Sequence, residues 1–127
     1  MFDISEKKLY NKSNRITKGE ILVKQHLNNL YNYLAEKGAE DARIYDLSNE
    51  DQHCDYIFVA SIDSSENNKK LALEIMQEFE MEKYPEGFHK GEWIVFDLGR
   101  CVLHLFVSSV REKYNLDKLW QSKKMAI

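Results

Sequence analysis

The chain has 127 residues, 43% of them hydrophobic, and a formal net charge of −3. That length suits one compact domain whose core needs no disulfide or metal to hold it, and no run approaches the roughly 18 consecutive apolar residues of a membrane span. Charge is unevenly spread: residues 1–18 hold five Lys or Arg against two acids, which is +3 and leaves −6 for residues 19–127, so the acidic body is a poor match for nucleic-acid phosphates and suits a basic protein partner better.

Residues 1–16 are polar and basic, with Phe2, Ile4, Leu9 and Tyr10 at no sustained period. They read as a flexible N-terminal extension, and residues 17–127 as the domain. Any RNA contact is peripheral and confined to that extension. The first residues lack the basic-then-apolar order of a signal peptide, which points to the cytoplasm. Cys54 and Cys101, in apolar surroundings, are then expected as reduced, buried thiols.

Thr17 and Glu20 have the spacing of a capping box, and Val23, Leu27, Leu30 and Leu34 follow at intervals of four, three and four. This is a helix with one face on a sheet, widened by Ile21 and Tyr31 and stopped by Gly38. Residues 42–47 alternate well enough for a strand, closed by Ser48-Asn49-Glu50-Asp51. Asp55 to Ile62 is a nearly continuous apolar run, as in a strand buried on both faces. Asp63-Ser64-Ser65 offers capping oxygens to a second helix with Leu71, Ala72, Ile75, Met76 and Phe79 inward, fraying near Lys83 before Tyr84-Pro85-Glu86-Gly87 breaks it.

Trp93 to Phe96 and Cys101 to Val107 then form a hairpin of two strands hinged at Leu98-Gly99. Trp93, Val95 and Asp97 share one side, Ile94 and Phe96 the other. The turn places Asp97 opposite about Arg100 and leaves His104 several residues from it. A short helix over about Ser109 to Trp120 ends the pattern. Helices alternating with strands imply a single α/β domain with a mixed sheet, flanked by helices on at least one face, with a right-handed crossover through the second helix.

From Trp93 onward the motifs W-I-V-F-D-L-G, V-L-H-L-F and R-E-K-Y-N-L-D-K-L-W resemble the ribosomal silencing factor, or Iojap, family. Cys54 to Ala60 and the Ser64-Ser65 helix start extend the resemblance, which covers about residues 18–121. It implies a nucleotidyltransferase-like fold without catalytic motifs. It also implies binding to the large ribosomal subunit through the large-subunit ribosomal protein numbered fourteen. Occupying that face would block joining of the small subunit and repress translation in starvation or stationary phase. The family is also linked to large-subunit assembly, and its members are often homodimers, so a homodimeric interaction module acting in assembly is the alternative. Ile62, Glu66 and Arg100 depart from the family pattern, where a glycine, a basic residue and an acid are usual.

The family motif directs attention to Trp93, Asp97, His104, Phe106, Arg111, Glu112, Tyr114, Leu119 and Trp120 as partner-binding residues. On the residues alone, the aromatic members fill the core or form a docking patch with a few Trp and Tyr anchors. His104 is either a satisfied core histidine or a polar contact. Arg111 and Glu112 lie on a solvated face, form a local ion pair or touch the partner. A metal set of His89, Asp97, Cys101 and His104, or one around His53-Cys54-Asp55, fits no standard zinc spacing. Nucleotidyl transfer uses a Gly-Ser phosphate turn and D-x-D carboxylates for Mg²⁺; the chain has Ile62-Asp63-Ser64-Ser65 and no D-x-D. No enzyme activity, catalytic residue, cofactor or metal is therefore expected.

Overall fold

The computed structural model describes residues 18–48 and 54–125, with side chains from residue 25 onward. The N-terminal extension, the Thr17–Glu20 capping box, the Ile21 and Val23 side chains, His53 and the 49–51 closure lie outside what is described. The elements are α1 (Lys18–Glu36), β1 (Glu40–Asp46), β2 (Tyr56–Ile62), α2 (Ser65–Glu78), β3 (Trp93–Asp97), β4 (Cys101–Val107), α3 (Ser108–Tyr114) and α4 (Leu116–Leu119), followed by a 3₁₀ turn at Gln121–Lys123.

The sheet runs β1-β2-β4-β3 and is mixed: β2 and β4 are parallel, while both outer pairs are antiparallel. Strand periodicity sorts the side chains into two layers. Phe58, Ala60, Ile94, Phe96, Leu103 and Leu105 meet Leu27, Leu30 and Leu34 of α1 and Leu71, Ala72 and Ile75 of α2 in the main core. On the opposite face Tyr45, Ile57, Val59 and Phe106 form a second cluster, covered by Val110, Leu116 and Trp120 of the C-terminal segment. β2 is buried on both faces because it is a central strand between these layers.

Gly38 ends α1 at φ 90°, where Ala39 N–H reaches the Leu34 carbonyl. Ser64 caps α2 by accepting from Asn67 N–H. Three expectations need correction. α2 does not extend to Lys83: it ends at Glu78, and Glu80 turns left-handed at φ 51°. The final helix is not continuous, because Asn115 sits at φ 49°, ψ 49° and divides it into α3 and α4. Asp97 opposes Val102 rather than Arg100, since the turn falls one residue later, at Gly99-Arg100, and Leu98 lies opposite Cys101 with its N–H on the Cys101 carbonyl.

Both edge strands carry a backbone bridge. Val95 N–H of β3 donates to the Glu86 carbonyl, and Met125 N–H donates to the Ile44 carbonyl of β1, beside a Tyr45–Lys124 bridge. Asn68, fully buried on α2, donates to the Gly91 and Leu105 carbonyls and so ties the helix to the hairpin.

Candidate docking face and its ribosomal relatives

The sheet face opposite α1 and α2 is only partly roofed. Trp93 and Val95 of β3 and Val102, His104 and Phe106 of β4 point to this side, as alternation from the hairpin requires. The segment α3–α4 crosses the β1–β2 end and brings Trp120 to 5.8 Å from the Tyr45 ring and 6.4 Å from His104. Trp93 stacks on Phe106 at 4.8 Å and lies 5.0 Å from Tyr114. The result is a continuous aromatic group whose inner members are buried and whose rim is open: Tyr114 is 52% exposed and Leu119 71%. Trp93, Val95, Val102, His104 and Trp120 are half-buried between them.

His104 is a paired histidine. Trp93 Nε1–H donates to His104 Nδ1 at 3.0 Å, which places the imidazole proton on Nε2. Burial lowers its pKa to about 4, with the Asp117 carboxylate pulling the other way, so the ring is neutral at pH 7.

Asp97 is exposed, and its carboxylate accepts from Gly99 N–H inside the turn. Glu112 is exposed on α3. Arg111 is the opposite of a solvated residue at 6% exposure. Its Nε and Nη2 grip Asp117 in a bidentate pair, both at 3.0 Å, while Nη1 donates to the Asp41 carbonyl at 2.7 Å and Ser61 Oγ at 2.8 Å. Four of its five N–H donors are thus directed inward. Of the three readings of Arg111, the internal ion pair is the one observed. The Asp41 carbonyl is turned toward Arg111 by a bulge in β1, where Asp41 takes φ 48°. The Tyr45 hydroxyl donates to the same Asp117. Burial alone would raise the Asp117 carboxyl, but hydrogen bonds from Arg111 and Tyr45 hold it below the usual range. Burial and Asp117 push Tyr45 up to about 12. An open cleft of about 380 Å³ borders this network.

The structure therefore gathers Trp93, His104, Phe106, Tyr114 and Trp120 into one group and leaves Asp97 at the hairpin turn. Sequence reasoning missed Tyr45 and Ser61, because the pairings of Tyr45 with Asp117 and of Ser61 with Arg111 span 72 and 50 positions and leave no local pattern. It also missed the partner of Arg100, whose guanidinium makes two hydrogen bonds to buried Asp55 at 2.9 and 3.0 Å. Cys54 and Cys101 are buried and not joined in a disulfide, and burial raises Cys101 to about 12. Cys101 faces the helix layer while His104 faces the other, so the sheet itself separates two members of the metal set considered above. Among the described residues no group of three His, Cys, Asp or Glu could hold a metal, and no helix is long and apolar enough to cross a membrane.

Residues 21–126 match the family model described as "Ribosomal silencing factor during starvation". The chain belongs to the ribosomal silencing factor family. The family's Bacillus subtilis member is 32% identical over 95 residues, 72% of this chain and 80% of the relative. The Treponema pallidum member is 29% identical over 92 residues, 69% and 83% of the two chains. A mouse protein named "Mitochondrial assembly of ribosomal large subunit protein 1" is 26% identical over 98 residues, 72% of this chain and 43% of its own. Among solved structures, a Chromobacterium violaceum protein superposes with a TM-score of 0.67 at 27% identity, covering 81% of this chain and 90% of that one. A Bacillus halodurans protein does so at 0.66 and 26%, covering 82% and 99%. Both structures share the fold of this chain, whose mixed sheet flanked by helices is the one expected from the order of its helices and strands.

Proposed function

We propose that this protein binds the large ribosomal subunit through the ribosomal protein numbered fourteen, with the open aromatic face of the sheet as the docking surface. Occupancy at that position blocks joining of the small subunit and represses translation in starvation or stationary phase. The observation that carries the reading is the half-roofed group of Trp93, His104, Tyr114 and Trp120 with exposed Leu119 at its rim. Its composition is that of an interface centre, where a few aromatic anchors supply most of the affinity. The acidic body favours a basic protein partner over bare RNA.

The protein acts by occupancy in the cytoplasm, without catalysis or cofactor. Support comes from the turn at Ile62-Asp63-Ser64-Ser65, where no glycine lets the backbone approach a triphosphate and Ser64 is engaged in capping α2. A second reading, a homodimeric module acting in large-subunit assembly, draws on the printed name of the mouse relative.

Sedimentation with purified subunits tests the proposal. The protein is expected to travel with free large subunits and to reduce the peak of joined subunits when small subunits are added. A protein that stays at the top of the gradient overturns it, and one that binds without reducing subunit joining favours the assembly reading.

A further inference from the structure

The strongest feature that the docking surface does not absorb is the buried charge network beside it. Arg111 and Asp117 lie on opposite sides of the Asn115 break, so their bidentate pair closes the angle between α3 and α4. Both are fastened to the sheet: Arg111 to the bulged Asp41 carbonyl of β1 and to Ser61 of β2, Asp117 to the Tyr45 hydroxyl of β1. None of these groups belongs to the aromatic rim, yet Tyr114 immediately precedes the break, and Leu119 and Trp120 follow Asp117 by two and three residues. α4 has four residues, too short to hold a direction by itself.

We propose that Tyr45, Arg111 and Asp117 are positioning residues that fix the C-terminal segment over the sheet, so that Tyr114, Leu119 and Trp120 stand in their docking arrangement before a partner arrives. Arg111 thereby acts on recognition from inside. A segment already ordered avoids the entropy cost of being ordered at binding, which is what preorganisation contributes to affinity. A bidentate guanidinium–carboxylate pair suits the task because it fixes orientation as well as distance. The inference rests on the aromatic face being the docking surface.

The test uses the full chain and purified large ribosomal subunits, with amide hydrogen exchange as a second readout. Asp117→Ala removes none of the docking side chains themselves. It is expected to accelerate exchange in residues 108–125 at least tenfold, leave β2 and β4 amides unchanged, and weaken subunit binding by tenfold or more. Asp117→Glu, which keeps a carboxylate for Arg111, is expected to recover part of the binding. Tyr45→Phe keeps the ring beside Trp120, removes one hydrogen bond, and gives a smaller shift in the same direction. Leu119→Ala weakens binding with exchange unaltered. Accelerated exchange with binding intact overturns the positioning role alone, as does acceleration spread equally through β2 and β4, which marks a purely fold-wide role and applies equally to Tyr45→Phe should Asp117→Ala fail to fold. If Trp93→Glu and Leu119→Ala both bind as tightly as the unaltered chain, the docking surface itself is misplaced and the positioning role falls with it.

Discussion

Trp93 and His104 are diagonal neighbours on two antiparallel strands, and the indole Nε1–H of one donates to Nδ1 of the other at 3.0 Å. The bond requires a neutral imidazole, and burial supplies it by holding the His104 pKa at about 4 against 6.5 in an unfolded chain. Below about 6.5 the unfolded chain takes up a proton that the folded one refuses until about 4. Stability from this residue is therefore lost as pH falls through that window, on the order of 2 kcal/mol once partial exposure is allowed for. Urea melts between pH 7 and 4 check this. His104→Gln, which keeps an acceptor for Trp93 but cannot titrate, should show a shallower decline; an identical slope sinks the assignment.

The docking surface itself predicts that Trp93→Glu abolishes co-sedimentation with large subunits and that Trp120→Ala weakens it by about 2 kcal/mol or more, roughly thirtyfold. Circular dichroism establishes that the variants are folded. Normal binding by folded variants would show that the patch lies elsewhere.

Two glycines with similar backbone angles should respond differently to alanine. At Gly87, φ is +79° and an added Cβ would lie 2.0 Å from the Trp93 carbonyl oxygen, so backbone must move. At Gly99, φ is +93° but nothing lies within 4 Å. Gly99→Ala should cost about 1 kcal/mol, the left-handed strain alone, and Gly87→Ala about 3 kcal/mol or more. Chemical denaturation midpoints compare them directly, and equal losses contradict the close approach.

Asn68→Ala should destabilise by about 2–3 kcal/mol, because two carbonyls, of Gly91 and Leu105, lose a buried donor. Asn68→Asp should be worse, setting a carboxylate against both oxygens. A thermal melt within a degree of the unaltered protein for either would remove Asn68 from the structural account.

Arg100 pairs with buried Asp55. Arg100→Asp should cost about 2 kcal/mol or more, by setting like charges together in a partly desolvated place. Adding Asp55→Asn should recover most of that loss. If the double variant is as unstable as the single, the coupling between the two positions is absent.

The layers were legible in the sequence because they follow from period alone: Leu27, Leu30 and Leu34 on one helix face, and Ile94 and Phe96 against Trp93 and Val95 on alternate sides of one strand. The hairpin and tail motifs together also pointed to Trp93, His104, Phe106, Tyr114 and Trp120, which converge. Register was less legible, since the turn sits at Gly99-Arg100, one residue later than the Leu98-Gly99 hinge expected, which moved the partner of Asp97 from Arg100 to Val102. Arg111 was least legible. On sequence it is one more charge on a polar helix, and its burial depends on Asp41, Tyr45 and Ser61, residues from two strands more than forty positions away.

The bridges on both outer strands bear on how this molecule can be recognised. With Glu86 lying along β3 and Met125 along β1, neither edge offers an uninterrupted ladder of amide and carbonyl groups to another chain. Strand addition, which reads backbone and tolerates many sequences, is thereby disfavoured, as is edge-to-edge self-association when the protein is abundant. Selectivity has to be written in side chains, so a partner is chosen by its shape against a few rings, and drift in either surface must be matched by the other.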